Sequence, residues 1–592
     1  MKTYVADFET TTLPEDCRVW AYAVINIDDA DHPERAVIGT NIDSFIEWCK
    51  AQKDNPKVLF HNLRFDMSFV IDRLFKLGYK HTEDNKGKAS KTFNTMISDK
   101  GLVYQCEIIF YRKGKNVRKV VLQDSYKLIP LKVKEIPNAF GLDEAKGEID
   151  YTAHNYLPPN SPITAEEKEY LLHDVIIVAK AIKYMYSQGF NKMTIGACVL
   201  EEYKKMVGKK TFKRWFPTPE YHNDVKQSYR GGFTYLNPKF AGVPVKEGIV
   251  LDVNSLYPSV MRDPNNAYPF GTAFWFEGKY KYDPIYPLYV QMFRCQFELK
   301  PGKIPTIQIK HSLCFVGNEY LTSSNGEVVT LCLTSVDLEL FFQQYDVYNV
   351  EWLSGWRFKA SYGMFDEFID KWTTNKIKAT KEGNKGMRFI SKMCLNSLYG
   401  KYGQDTVMIN KVPFYRDGQV HYRYSEPTSR KGLYIAVASY VTSYARRKTI
   451  LSAQKITDDY NAGKSQIQFV YADTDSLHCS SPGFKLPVGL DIDPYKLGAW
   501  KYESRFSDKG LKSGQGAKFL RQKCYIENST EDLTSDDPDY ELKITVAGMP
   551  SECYDQVTFD NFKIGAKYRG KKLPHVVDGG TVLVDGDFTI KE

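Results

Sequence analysis

At 592 residues, with 43% hydrophobic and 26% charged side chains, the chain has an ordinary globular composition and room for about four domains, which excludes a disordered or fibrous protein. A net charge of +8 is modest for this length, so a polyanionic partner has to be gripped by local basic stretches and not by the overall field. The 11 cysteines include no Cys-x-x-Cys pair, and no apolar leader or span is present, which predicts reduced thiols in a cytoplasmic protein that avoids membranes.

The first predicted strand, 4–8, runs into Asp7 and Glu9, which are two residues apart and share one face of the pleat. A helix near 42–49 follows. A strand from 58 then leads into the turn Asn62-Leu63-Arg64-Phe65-Asp66 and an apolar helix over 69–77. A basic hairpin at 111–119 turns at Lys113-Gly114-Lys115, and the next strand ends at Asp124-Ser125. Thr164-Ala165-Glu166-Glu167 is a capping box, opening a helix on which Tyr170 and Asp174 lie four apart on one face.

From about 193 the organisation changes. Tyr229-Arg230-Gly231-Gly232 stands between two extended runs, with glycines that permit close backbone approach to another chain. A buried-type strand at 248–251 ends in Asp252. The turn after it exposes the Val253 carbonyl and places the Tyr257 ring nearby. Residues 264–365 read as a β-containing insertion. Helices follow at 365–372 and 387–398, and on the second Arg388, Lys392 and Asn396 are spaced by four, with Tyr399 beyond them. That basic face suits a triphosphate.

A loop-rich piece at 404–433 precedes a helix over 434–454 carrying Thr442 and Arg446. Next comes a hairpin, strand 467–470 and strand 477–479, with Asp473 and Asp475 at its tip. Two carboxylates so close repel unless a cation sits between them, and hard oxygen ligands suit Mg²⁺. Asp252, at the end of a central strand, can meet them across an antiparallel sheet. A strand at 520–526 sets Lys523 and Tyr525 on one side, an alternation suited to phosphate contact and base stacking. The C-terminal unit is the most basic stretch.

The Asp-x-Glu strand, the middle Asp66 and Tyr-x-x-x-Asp at 170–174 resemble the three motifs of DnaQ-like 3′-5′ exonucleases. In that resemblance Asp7, Glu9, Asp66 and Asp174 hold two Mg²⁺ ions, Tyr170 orients the water and Lys146 contacts the scissile phosphate. Asp-x-x-Ser-Leu-Tyr-Pro (252–258), Lys-x-x-x-Asn-Ser-Leu-Tyr-Gly (392–400), Tyr-Ala-Asp-Thr-Asp-Ser (471–476) and Lys-x-Tyr (523–525) resemble, in family order, the motifs of family B DNA polymerases. Tyr-x-Gly-Gly and the short chain resemble the protein-primed, phi-twenty-nine-like phage branch.

The resemblance implies an α+β multidomain fold: an RNase H-like exonuclease domain (1–192), then a right hand made of palm (193–263 and 434–540), fingers (368–403) and thumb (541–592). Insertions at 264–367 and 404–433 would contact the priming protein and DNA. It implies template-directed DNA synthesis with proofreading and strand displacement by a monomer, using two Mg²⁺ at each site, with Mn²⁺ able to substitute. The implied partners are primer-template DNA, dNTPs, a priming terminal protein and a single-stranded DNA-binding protein, in the cytoplasm of a phage's bacterial host.

Carried over by position, the resemblance implies that Asp252, Val253 and Asp475 bind the polymerase metals with Asp473 beside them, that Tyr257 screens against ribose, and the contacts that follow. Arg388, Lys392, Asn396 and Tyr399 hold the nucleotide. Thr442, Arg446, Lys523 and Tyr525 contact the primer, while Tyr229, Gly231 and Gly232 contact DNA. Thr10, Asn62, Phe65 and Ser125 hold the frayed 3′ end. Leu59, Tyr126 and a longer finger loop at 376–385 depart from the family pattern. A reverse transcriptase and a single-strand-binding nuclease with a vestigial palm are the rival readings.

Overall fold

The computed structural model describes residues 2–83, 89–144, 147, 149–310, 312–509 and 514–591. Its first unit is a mixed eight-stranded sheet in which strand Thr3–Thr10 lies parallel to Lys57–Phe60, and that strand parallel to Asn116–Asp124. Alternation along Thr3–Thr10 serves two cores. Ala6 and Phe8 face a cluster with Phe45 and Phe60, whereas Val5 faces the other way, into a cluster that continues through Leu171 and Ile182 to Leu251 and Tyr434. The amino-terminal sheet therefore shares its second core with the rest of the molecule. Helix Ala165–Ser187 covers that face, opened by the predicted capping box: Thr164 accepts from the Glu167 N–H, and the Glu167 carboxylate accepts from the Thr164 N–H.

The second unit is a nine-stranded sheet, antiparallel throughout, with Glu247–Val253 between Trp500–Ser507 and Ser476–Ser480. The run Ile249-Val250-Leu251 is buried on both faces, as its unbroken apolar character requires. Helix Ile435–Asn461 crosses this sheet and is buried almost all round from Ile435 to Arg446. The 264–365 region builds a four-stranded antiparallel sheet, and 404–433 contains two short ribbons. Helices Asp366–Lys381 and Lys385–Tyr402 form a hairpin, and strands Lys567–Val577 and Gly580–Thr589 another near the C-terminus.

Two expectations change here. The stretch 376–385 is no long loop: it stays helical through Lys381 and turns in three residues, 382–384. Residues 520–526 are not one strand either. The chain reverses between Ala517–Arg521 and Cys524–Thr530, with Lys523 left-handed at φ 53°, so Lys523 and Tyr525 are not alternate positions of a single ladder. Among the described residues no helix is long and apolar enough to cross a membrane.

Candidate active sites

Asp252 pairs with Ser476 across the antiparallel ladder, and the Val253 N–H donates to the Asp475 carbonyl at 2.8 Å. This register brings Asp252, Asp473 and Asp475 to one cavity of about 430 Å³, with Glu503, Lys523 and Lys543 on its walls. Three residues bend the backbone around it in left-handed conformations that side chains disfavour: Ser255, Thr474 and Lys523. Gly232 is required beside them, since a Cβ there would lie 2.6 Å from the Thr474 side chain. Its close approach is thus to the acidic hairpin. Gly231 is exposed with open space around it.

Burial, reinforced by the charges of Asp475 and Glu503, raises the Asp252 carboxyl to about 7, with Lys501 and Lys543 opposing. Asp475 is raised as well, by burial first and then by Asp473. Tyr471 organises the far side. Its hydroxyl donates to Asp473 Oδ2 at 3.2 Å and accepts from the Lys523 N–H at 3.0 Å, while Lys523 Nζ stands 3.4 Å from Asp473 Oδ1. Tyr525 is buried in the cavity wall, stacked on Phe519.

Helix Lys385–Tyr402 presents Arg388, Lys392 and Asn396 to solvent on one face. Lys376 joins them from the preceding helix: burial and the charges of Lys392 and Arg388 lower its pKa. The Tyr399 ring stacks on Tyr257 with centroids 4.1 Å apart. Two expected primer contacts are buried. Thr442 is buried and its hydroxyl donates to the Ala438 and Ser439 carbonyls. Arg446 is buried, ion-paired with Asp337 of the 264–365 region, and donates at 2.8 Å to both the Arg230 and the Gly231 carbonyl. Its reach is to the Tyr-Arg-Gly-Gly segment, which it holds through those two carbonyls.

A second cavity, of about 600 Å³, is lined by Asp7, Asn62, Phe65 and Asp66. Asp66 is buried and held well above the ordinary carboxylate range, by burial first and then by the charge of Asp7. Burial raises Tyr170 too, followed by the charge of Asp174, the bond to Tyr151 and the charge of Glu9, and its hydroxyl lies 2.9 Å from that of Tyr151. Asn62, exposed and left-handed at φ 70°, sits at the mouth. Thr10 is half-buried beyond a bulge after Glu9.

Ser125 is also buried, and donates to the Phe60 carbonyl while bonded to His61. Of the family departures, Leu59 is core and Tyr126 packs edge-on against His61. Lys146 lies outside the described residues. Sequence reasoning missed Asp124, whose carboxylate accepts from the Asn62 and Tyr126 N–H groups at 3.0 Å, and also Glu503, Asp337 and Tyr151. It also missed that the 600 Å³ cavity is walled by Lys411 and Tyr422 of one ribbon and Val576 and Leu583 of the C-terminal hairpin.

Among the described residues no three carboxylate, imidazole or thiol groups are gathered into a ligand cage. The fit to divalent metal therefore rests on donor chemistry. Paired carboxylates line each cavity, and in each pair one carboxyl, Asp252 or Asp66, is raised by burial and by a neighbouring carboxylate, the two costs a hard cation relieves.

The family model for DNA polymerase type B, organellar and viral, matches residues 48–161 and 157–486. The DNA polymerase of Bacillus phage phi29 is 42% identical over 603 aligned positions, covering 100% of this chain and 99% of that protein. The DNA polymerase of Streptococcus phage Cp-1 is 30% identical, with 100% and 98% covered. The solved structure of phi29 DNA polymerase with primer-template DNA and incoming nucleotide substrates superposes with a TM-score of 0.90 at 40% identity, covering both chains fully.

Proposed function

Because the chain belongs to the type B DNA polymerases, in their organellar and viral branch and among the phi29-like phage enzymes, we propose that it both extends and trims DNA 3′ ends at two separate carboxylate sites. It is a DNA-directed DNA polymerase. The trimming activity, the use of Mg²⁺ and the residue roles below are our reading. Asp252 and Asp475, with the Val253 backbone and Asp473 beside them, would hold two divalent ions. Bound there, such ions would supply charge neutralisation at the α-phosphate and at the leaving pyrophosphate.

Arg388, Lys392 and Lys376 grip the triphosphate and Asn396 borders it. Tyr257 and Tyr399 form the floor that excludes a ribose hydroxyl. Lys523 reaches the primer phosphate from its exposed turn, and Gly231 leaves the backbone bare for DNA. Arg446 acts indirectly, by fixing the segment 229–232, and Thr442 braces the helix that carries it. At the second site Asp7, Glu9, Asp66 and Asp174 would hold the ions, Tyr170 orients the attacking water, and Asn62, Phe65 and Thr10 receive the unpaired 3′ end.

We assign 1–192 to proofreading, 193–263 and 434–540 to the palm, 368–403 to the fingers and 541–592 to the thumb. The insertions 264–367 and 404–433 meet DNA and a priming protein. In this reading a monomer copies a linear phage genome in the bacterial cytoplasm, starting from the hydroxyl of that protein, displacing the other strand, and aided by a single-stranded DNA-binding protein.

One observation carries the proposal: Asp252, at the end of its strand, and Asp475, in the hairpin turn just before the neighbouring antiparallel strand, line one cavity, while Asp7 and Asp66 line another. Primer extension on a circular single-stranded template with Mg²⁺ tests it. Synthesis with dNTPs and primer shortening without them is expected. A protein that does only one of these contradicts the two-site reading.

A further inference from the structure

Helix Lys385–Tyr402, with the cationic face described above, begins against the amino-terminal domain. Its N-cap, Asn384, accepts through Oδ1 from the Met387 N–H at 3.0 Å, and the same oxygen accepts from the Tyr184 hydroxyl at 3.1 Å. The next residue, Lys385, donates from Nζ to Asn138 Oδ1 at 3.0 Å. Gly386 then comes so close to the Tyr184 ring that a Cβ would lie 2.7 Å from it. One turn on, Phe389 packs on Phe140 with centroids 5.1 Å apart. The tip of the helical hairpin is therefore tethered, while its far end is rooted in the core at Tyr402.

We propose that Tyr184 and Asn138 are positioning residues for the incoming nucleotide, reaching from the amino-terminal domain to set the first turn of the helix that carries Arg388 and Lys392. The inference rests on reading that face as the triphosphate site. Arg388 lies four residues after Asn384, so the cap geometry decides where its guanidinium points. Arg388, Lys392 and Lys376 repel one another, so their clustering has to be held by packing elsewhere. A grip on the turn between the two helices supplies that hold before the nucleotide arrives, which is how preorganisation improves affinity. Tyr184 also shares helix Ala165–Ser187 with Tyr170 and Asp174, so one rigid element borders both sites.

Tyr184→Phe and Asn138→Ala in the full chain, compared by single-nucleotide incorporation, test this. The KM for dNTP should rise about three- to tenfold, the effect of one lost hydrogen bond, with kcat at saturating nucleotide and excision of a free single strand both unchanged. An unmoved KM overturns the inference. So does a parallel fall in excision, because the contact would then merely support helix Ala165–Ser187. If the parent chain itself incorporates no nucleotide, it is the reading of the site that fails, a result distinct from either of these.

Discussion

Replacing Asp252 by Asn should abolish nucleotide incorporation while making the metal-free protein more stable. Burial and the neighbouring Asp475 and Glu503 raise this carboxyl from an ordinary 3.8 to about 7. That gap corresponds to about 4 kcal/mol. Because the side chain is only half-buried, screening by water reduces it to about 2 kcal/mol. The sign follows from linkage. The unfolded chain ionises Asp252 at its ordinary pKa whereas the folded chain resists until about 7, so the parent loses stability as pH rises through that window and D252N does not. Urea unfolding in chelator, followed through Trp500, which pairs with Val253, should show the variant ahead by about 2 kcal/mol near pH 8 and level with the parent near pH 4. A variant no more stable than the parent near pH 8, or one that still incorporates nucleotide, refutes the reasoning.

Asp66→Asn should stop the shortening of a 5′-labelled single strand and leave primer extension intact; persistent trimming would move the exonuclease site elsewhere. Gly232→Ala forces a Cβ to 2.6 Å from Thr474, displacing the acidic hairpin. Incorporation should fall about a hundredfold with excision preserved, and parental incorporation would count against the hairpin's role. Arg446→Met removes the ion-pair partner of buried Asp337 and leaves it the Ser443 hydroxyl and the charge of Arg230, a loss of about 3 kcal/mol in unfolding free energy. The double variant R446M/D337N should recover much of it; if single and double are equally unstable, the pair is not what Arg446 contributes.

The carboxylates were legible because their chemistry dictates local patterns. Asp7 and Glu9 need only a strand, and Asp473 and Asp475 only a hairpin, so residue type and period 2 suffice. The basic face of Arg388, Lys392 and Asn396 follows equally from helical spacing. What was not legible was burial decided by distant partners. Helix Ile435–Asn461 was read as offering Thr442 and Arg446 to DNA, yet small residues such as Ala436 and Ala438 let it sink between sheet and insertion, where Asp337 waits 109 positions away. The burial of Ser125 was hidden likewise, its hydroxyl bonded to Phe60 and His61. The reversal at Lys523 carried no glycine or Asn-Gly signal, so nothing local announced a turn. The walls that the 411–424 ribbon and C-terminal hairpin give the second cavity are likewise products of tertiary arrangement alone.

Diffraction from crystals soaked in Mn²⁺ tests the central claim most directly. Anomalous density should appear between Asp252 and Asp475 and, separately, among Asp7, Glu9, Asp66 and Asp174. Density missing from either group under saturating metal, or bound instead by other side chains, would contradict an enzyme that builds and trims DNA at two distinct metal sites.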